Sequence, residues 1–537
     1  MTLLAADGVE NGAQLDTDVC VIGSGAAGIT IARRLSRSGL RVTVLEAGGL
    51  RHDRKAEAGA FKFFPTGRPF DNPIPDRGRW FGGSTNLWFG RCTRPTAIDF
   101  DYRPWVPHSG WPISIEELEP WFGVASEILD VPHADKLRIE EWPSNPTIRA
   151  FCSEHSASAL EVFLWAQAPA MGPAAKQQLS DAASVKVITD ATCVGLTSVS
   201  HDQAEAASII GPGGRRFSVR ARTFVVAAGG LENPRLLLLS NDAQPNGLGN
   251  HHDNVGRYYL DHVRGAGLAR VDVRPLDDSQ LAVLQMLDEQ ADTPYGPAQL
   301  RVVFDQKTQH DEELLNHGLH GYLVSELEES SGFEAYLAVR AQLGRRTITD
   351  HRVFARQLAA LAANSPQLAR LRWNRLRSRN RPTSFVVIDQ LEHAPDPESR
   401  ISLRHRDLDR FGMARLEVDW RIGSSTLRSH RRLHEIFFDR LASVGIRQGV
   451  SEILGSPSFQ PHYQDMKHPS GTTRMSSSPK DGVVDANCRV HGSKNVYVAG
   501  SSTFPTSGHF NPTLTIVALA ARLSDHIERS FASPGTP

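Results

Sequence analysis

Asp18-Val19-Cys20-Val21-Ile22-Gly23-Ser24-Gly25-Ala26-Ala27-Gly28 decides the fold class of this chain. An apolar run of four or five residues that stops at glycines reads as a buried parallel strand feeding a tight turn. Gly23 permits the turn, Gly25 lets the backbone approach a pyrophosphate, and Gly28 lets the following helix pack against the strand. The N-terminus of that helix offers free N–H groups and partial positive charge to phosphates. A second apolar run, Arg41-Val42-Thr43-Val44-Leu45, ends at Glu46, 46 − 28 = 18 residues beyond Gly28. That is near the interval of about 20 expected for a carboxylate that holds ribose hydroxyls. Strand, helix, strand and terminal acid in this order predict a Rossmann-like dinucleotide site, and the acid disfavours a phosphorylated ribose.

The chain carries one such fingerprint. Gly211-Pro212-Gly213-Gly214 lies between two strand-like runs and reads as a hairpin turn. The five cysteines (Cys20, Cys92, Cys152, Cys193, Cys488) are scattered rather than set at redox spacing. Passing electrons from a nicotinamide to a flavin would need a second fingerprint, so the substrate itself is expected to reduce the cofactor. Phe224-Val225-Val226-Ala227-Ala228-Gly229-Gly230 supplies another buried strand ending in glycines, as a strand returning to the same cofactor would.

Four further groups of residues carry a resemblance. Trp80-Phe81-Gly82-Gly83-Ser84-Thr85-Asn86-Leu87-Trp88 is followed by Asp99-Phe100, Trp105 and Ser109-Gly110-Trp111-Pro112. The tail holds His468-Pro469-Ser470-Gly471-Thr472-Thr473-Arg474-Met475, Val496-Tyr497-Val498-Ala499-Gly500 and Asn511-Pro512-Thr513-Leu514-Thr515. Together with the head, these resemble the glucose–methanol–choline (GMC) oxidoreductase family, in particular its sugar and glycoside oxidases and dehydrogenases. The resemblance covers residues 16–50, 77–122, 183–240 and 455–530. It implies an α/β fold of GMC type, with a Rossmann-like FAD-binding domain and an antiparallel-sheet substrate domain. It also implies FAD contacts at Gly23, Gly25, Ala27, Gly28, Glu46, Gly82, Gly83, Ser84, Asn86, Leu87, Val194, Ala228, Gly229, Gly500, Ser501, Asn511, Pro512 and Thr513. Some relatives attach FAD through a histidine just before the tryptophan of the Trp80–Trp88 motif. Leu87 stands there in this chain, so non-covalent FAD is expected.

Carried onto this sequence, the family's base is His468 and its hydroxyl-sharing asparagine is Asn511. Oxidising an alcohol requires that the hydroxyl proton leave as the carbon-bound hydrogen departs, and a neutral imidazole of ordinary pKa ~6.5 can take that proton. The asparagine amide can hold the same oxygen and orient the C–H bond. Asn511-Pro512-Thr513 before an apolar run also reads as a helix start, whose positive end favours anionic reduced flavin by about 0.3–2 kcal/mol. His509 stands where relatives often have a small apolar residue, and is either a rival base or a substrate ligand. A metal site built on His462 and His468 is not expected, because no cysteine or carboxylate cluster completes it.

The rest of the chain sets bounds. At 537 residues it exceeds one core, and Lys+Arg 59 against Asp+Glu 60 gives a net charge of −1, which offers no field for nucleic acid or an anionic membrane. Met1–Gln14 lacks a basic stretch followed by an apolar run, no segment is apolar enough to span a bilayer, and the odd cysteine count favours a reducing cytoplasm. The expected division is an FAD-binding domain over 1–265, with 51–77 as a lid, a substrate domain over 266–449, and a second FAD-binding part over 450–537. In the middle domain, strands are expected at 266–273, 319–324, 383–391 and 414–420, and helices at 334–379 and 424–444. Ten arginines between Arg345 and Arg381 read as a solvated helix face or a docking patch. The strand holding Asp389, Gln390 and Glu392 resembles the family strand facing the flavin, where a Glu-Gln pair is common and this chain has Glu392-His393. Gln390, Glu392 and His509 are therefore the substrate-binding candidates. The partners that the resemblance implies are an alcohol of a sugar, glycoside or related compound, and an electron acceptor, oxygen or another. A lyase or an aryl or aliphatic alcohol oxidase on the same fold is the alternative.

Overall fold

The apolar runs of the sequence form the middle of one sheet. Its order is Thr2–Ala5, Val185–Thr189, Val42–Leu45, Gln14–Ile22, Arg216–Val226, Gln203–Ile210 and Thr192–Ser200, with Val496–Val498 also paired to Arg216–Val226. Pairing is parallel through the first five strands and at Val496–Val498, and antiparallel in the Thr192–Val226 meander. Arg216–Val226 serves two neighbours in succession: residues 216–220 pair with Gln203–Ile210, and residues 224–226 with Val496–Val498. The loops after Ile22, Val226 and Val498 therefore emerge together at the carboxyl ends of parallel strands, where open α/β sheets bind ligands. Val19, Val21, Val44, Val225, Val226 and Val498 are buried, as strands covered on both faces must be. Helix Ala26–Leu35 packs against the long helix Pro512–Ala532. Gly211–Gly214 is the hairpin turn read from the sequence.

The computed structural model describes residues 1–53, 62–70, 77–131, 146–153, 157–167, 169–288, 291–293, 296–328, 335–336, 339, 351–376 and 381–532. A second sheet is antiparallel, in the order Gly449–Ser451, Val263–Asp272, Pro382–Leu391, His317–Ser325, Gly296–Phe304, Ser158–Trp165 and Arg91–Cys92. Sheet membership thus departs from the boundaries expected at 266 and 449. Arg91–Cys92 and Ser158–Trp165 come from the stretch assigned to the cofactor domain yet lie in the second sheet. Ala414–Asp419 is a strand, but it belongs to a small third sheet with Arg400–Leu408 and, in parallel, Phe63–Pro65. Within the expected lid, Phe70 packs among Phe63, Tyr259 and Trp420, while residues 54–61 and 71–76 lie outside the described residues. Helix Ser424–Ser443 matches its expected span. Of the stretch 334–379, helices His351–Ala363 and Ser365–Leu376 are present, and most of the remainder, Arg345, Arg346, Arg377 and Arg379 included, lies outside the described residues. No helix among the described residues is long and apolar enough to cross a membrane.

Candidate active site

The glycines of the first loop are set by close approach. Gly23 has φ +108°, and a Cβ on Gly28 would stand 1.9 Å from the Gly23 carbonyl oxygen. Glu46, at the end of its strand, pins this turn: its carboxylate accepts from the Ser24 N–H (3.3 Å), the Ser24 hydroxyl and the Gly48 N–H (2.8 Å). Burial raises the Glu46 pKa, and those hydrogen bonds offset part of the shift. The Trp80–Trp88 motif lies on the same loop. The Gly82 N–H donates to the Ser24 carbonyl at 3.2 Å, and a Cβ on Gly83 would come within 3.0 Å of the Gly25 Cα. Space opens where a side chain would start at Gly25 and at Gly229, with no atom within 4 Å. Asn86 turns inward to the Phe81 and Gly83 carbonyls, whereas Leu87 is 43% exposed. Val194 lies in the Thr192–Ser200 strand, which starts one residue after the Ala191 N–H bonds the Glu46 carbonyl at 2.8 Å.

One residue missed in the sequence joins the other two loops. Asn233 accepts from the Ala228 N–H (2.7 Å) and donates to the Ala499 carbonyl (3.1 Å) and the Ser502 hydroxyl (2.8 Å). It stitches the turn after Val226 to the Gly500-Ser501 turn after Val498. The Ser501 hydroxyl in turn donates to the Pro469 carbonyl at 2.7 Å.

The histidine loop is docked on this edge. A Cβ on Gly230 would stand 2.1 Å from the Pro469 carbonyl oxygen, and the Thr472 hydroxyl donates to the Gly230 carbonyl at 2.7 Å. His468 is held at both ends: its N–H donates to Asp261 Oδ1 at 2.9 Å, and its Nδ1 meets His262 Nδ1 at 2.8 Å. His262 Nε2 lies 3.1 Å from the Ser507 carbonyl oxygen. Burial, then the nearby charge of Arg301, lower the His468 pKa to about 4. The sequence signal was the dipeptide Asp261-His262, which no local pattern distinguishes.

The second sheet presents a polar face to the same tail. Successive residues of a strand point to opposite faces, which sends Gln390 toward Asn511 and Asp389 away from it. Gln390 Nε2 donates to Asn511 Oδ1 at 3.0 Å, while Asn511 Nδ2 donates to the Arg91 carbonyl at 3.2 Å. Asn511, directly before Pro512 and Thr513, thus bonds outward across the tail. Arg301, buried over the Phe163 ring, donates to Gln390 Oε1 at 2.7 Å. His509 Nε2 lies 2.7 Å from Glu161 Oε2. Burial alone would lower the His509 pKa, but the Glu161 carboxylate outweighs it and holds the imidazole above its ordinary value.

Glu392 sits elsewhere. Fully buried, its carboxylate accepts from Nη1 and Nη2 of the Arg103 guanidinium at 2.8 and 2.6 Å, and also from the Asn316 N–H at 2.8 Å. Its carboxylate is used inside the fold, so the structure brings Gln390 and His509 to the site and leaves Glu392 out. On the far side of the strand, Asp389 lies 2.9 Å from His430 Nε2 and 3.0 Å from His434 Nε2. The other nitrogens meet the Tyr463 and Ser451 hydroxyls. These are the residues of metal-ligating type that cluster among the described residues. His462 is exposed.

Known proteins resemble this chain in sequence and in fold. The family described as "FAD dependent oxidoreductase" matches residues 18–262, and "GMC oxidoreductase" matches residues 395–520. The large subunit of fructose dehydrogenase from Gluconobacter japonicus is 23% identical, over 96% of this chain and 98% of its own. The 6'''-hydroxyparomomycin C oxidase of Streptomyces lividus is 26% identical, over 98% and 94%. In fold, pyridoxine 4-oxidase from Mesorbium loti matches with a TM-score of 0.56 at 18% identity, over 95% of this chain and 99% of that one. The dinucleotide loop, the docked histidine loop and these matches over nearly the whole length agree: the chain belongs to the GMC oxidoreductase family and is an FAD-dependent oxidoreductase acting on CH–OH donors.

Proposed function

We propose that the chain oxidises a CH–OH group of a sugar, glycoside or related polyol, with His468 as the base, Asn511 orienting the hydroxyl and FAD held non-covalently. The observation that carries this reading is the docking of the His468 loop onto Gly230, at the edge where the dinucleotide loop also ends. The residues present suit FAD: open space over Gly25 and Gly229 leaves the backbone accessible, Glu46 ends its strand beside the turn, and Leu87 offers no nucleophile for attachment. FAD, when bound, supplies the acceptor for the hydride.

The residues divide the remaining tasks by charge. His468, held neutral by burial, is free to take the hydroxyl proton. The Glu161 carboxylate raises the His509 pKa and occupies its Nε2, so this imidazole suits holding a substrate oxygen better than accepting a proton. This contrast favours His468 over His509 as the base. Gln390, Arg301, Glu161 and His509 form a floor rich in donors and acceptors, which suits several hydroxyls better than an apolar or aryl alcohol. Sugar-related names among the relatives agree with that floor. Under this reading, residues 1–265 and 450–537 bind the cofactor and 266–449 bind substrate, with Arg91–Cys92 and Ser158–Trp165 lent to the substrate sheet. A reducing cytoplasm fits five free cysteines.

Anaerobic mixing with a panel of sugars, glycosides and aryl alcohols tests the proposal. At least one polyol is expected to bleach the oxidised flavin band, and His468→Ala is expected to slow bleaching about 10²–10⁴-fold. Product formed without bleaching would mean a lyase, and bleaching by aryl alcohols alone would refute the polyol assignment.

A further inference from the structure

His262 has no part in the chemistry above, yet its ring touches His468. It is 2% exposed, and both of its nitrogens are engaged. The partner of Nε2 is the Ser507 carbonyl oxygen, 3.1 Å away. A carbonyl oxygen only accepts, so the hydrogen of His262 sits on Nε2. Burial, followed by the neighbouring His468, keeps His262 well below its ordinary pKa and hence neutral. A neutral ring with hydrogen on Nε2 has a lone pair on Nδ1. That lone pair faces His468 Nδ1 at 2.8 Å, with the two rings nearly perpendicular at 89°. Two lone pairs at that separation would repel, so His468 Nδ1 carries a hydrogen and donates it. A neutral His468 then has no hydrogen on Nε2.

We infer that His262 is a positioning residue: the relay from the Ser507 carbonyl through His262 fixes His468 in the Nδ1–H tautomer and leaves Nε2 as the bare, proton-accepting atom. The relay also serves after transfer. When Nε2 takes the alcohol proton, the imidazolium Nδ1–H stays hydrogen-bonded to His262, and a bond from a charged donor is stronger than one from a neutral donor. The neighbouring Asp261 grips the His468 backbone, not its ring, so placement of the loop and choice of tautomer rest on adjacent but separable side chains.

The inference rests on His468 as the base. Nitrogen-15 NMR of histidine-labelled holoenzyme, with His468→Asn to assign the ring, is expected to show His468 Nδ1 protonated and Nε2 bare at neutral pH. In His262→Phe the preference is expected to be lost and anaerobic flavin reduction to slow about 10²-fold, with FAD content and substrate KM unchanged. His262→Asn, whose Oδ1 takes the place of Nδ1 as acceptor, is expected to recover at least about 10-fold of that loss. A protonated Nε2 in the native enzyme overturns the inference, and this reading survives even if His262→Phe fails to fold. Native reduction rates in His262→Phe, with His468→Ala inactive, overturn it while leaving the base assignment intact. Native rates in His468→Ala would remove the base assignment and the relay together.

Discussion

Two imidazoles of the tail, His468 and His509, are biased toward opposite states by what they touch. His468 is buried with a histidine partner and a cation nearby, which lowers its pKa and favours the neutral ring; His509 has the Glu161 carboxylate, which raises its pKa and favours the charged one. Replacing His509 with glutamine should therefore weaken binding more than chemistry. A lost charged hydrogen bond of about 1.5 kcal/mol predicts a KM about 10-fold higher, with the limiting rate of flavin reduction changed no more than about 3-fold. Stopped-flow reduction over a range of substrate concentrations separates the two, and a rate about 10²-fold lower at saturation would make His509 the base. His468 was legible because its loop carries a run of family-like residues. His262 was not, because its role exists only through a contact 206 positions away.

At the scale of elements, the end of the interior strand Pro382–Leu391 is tied to the Asp99–Trp111 region by an ion pair. Arg103 reaches Glu392, 289 positions on, and both side chains are almost wholly buried. Removing the cation alone should be costly, because the carboxylate stays buried without its partner: Arg103→Met is expected to lose about 3–5 kcal/mol. Adding Glu392→Gln should recover most of that loss. Denaturant unfolding of both variants checks the pair, and an additive double variant would show that the two side chains do not act together. Glu392 read as a substrate ligand from sequence because its strand and neighbours matched the pattern; nothing local reveals that Arg103 has already claimed it. The same limit hid two strands. Ser158–Trp165 and Gly296–Phe304 lie inside the second sheet; the first has no regular alternation of apolar and polar residues, and in the second the alternation is confined to Ala298–Val302. Gln14–Ile22 and Arg216–Val226 were legible through apolar runs ending in glycine.

Across the whole molecule, several histidines are buried neutral, and this fixes how stability responds to acid. Burial is the largest cause in each case: His317 is lowered to about 3, His393 to about 4 and His468 to about 4. In the unfolded chain each regains a pKa near 6.5. Below that pH the unfolded state binds protons that the folded state refuses, so their contribution is complete above pH ~6.5 and is lost as pH falls toward 4. Buried Asp261, raised by burial, acts in the opposite sense, so a single-site comparison is the cleaner test. His393 Nε2 accepts from the Asp261 N–H and from Trp420 Nε1, and glutamine can offer an oxygen there without titrating. His393→Gln should lose stability with acid less steeply than the native chain, by about 1.4 kcal/mol per pH unit near pH 5. Parallel slopes in urea melts at pH 5 and 6 would reject the assignment. The sheet order has one more consequence. Because Val496–Val498 closes the row beside residues 224–226, a ribosome must add 498 − 226 = 272 residues after Val226 before the cradle is whole. Until then the growing polypeptide carries a naked strand edge, open to mispairing, and the vitamin-derived group can lodge firmly only once that late strand is in place.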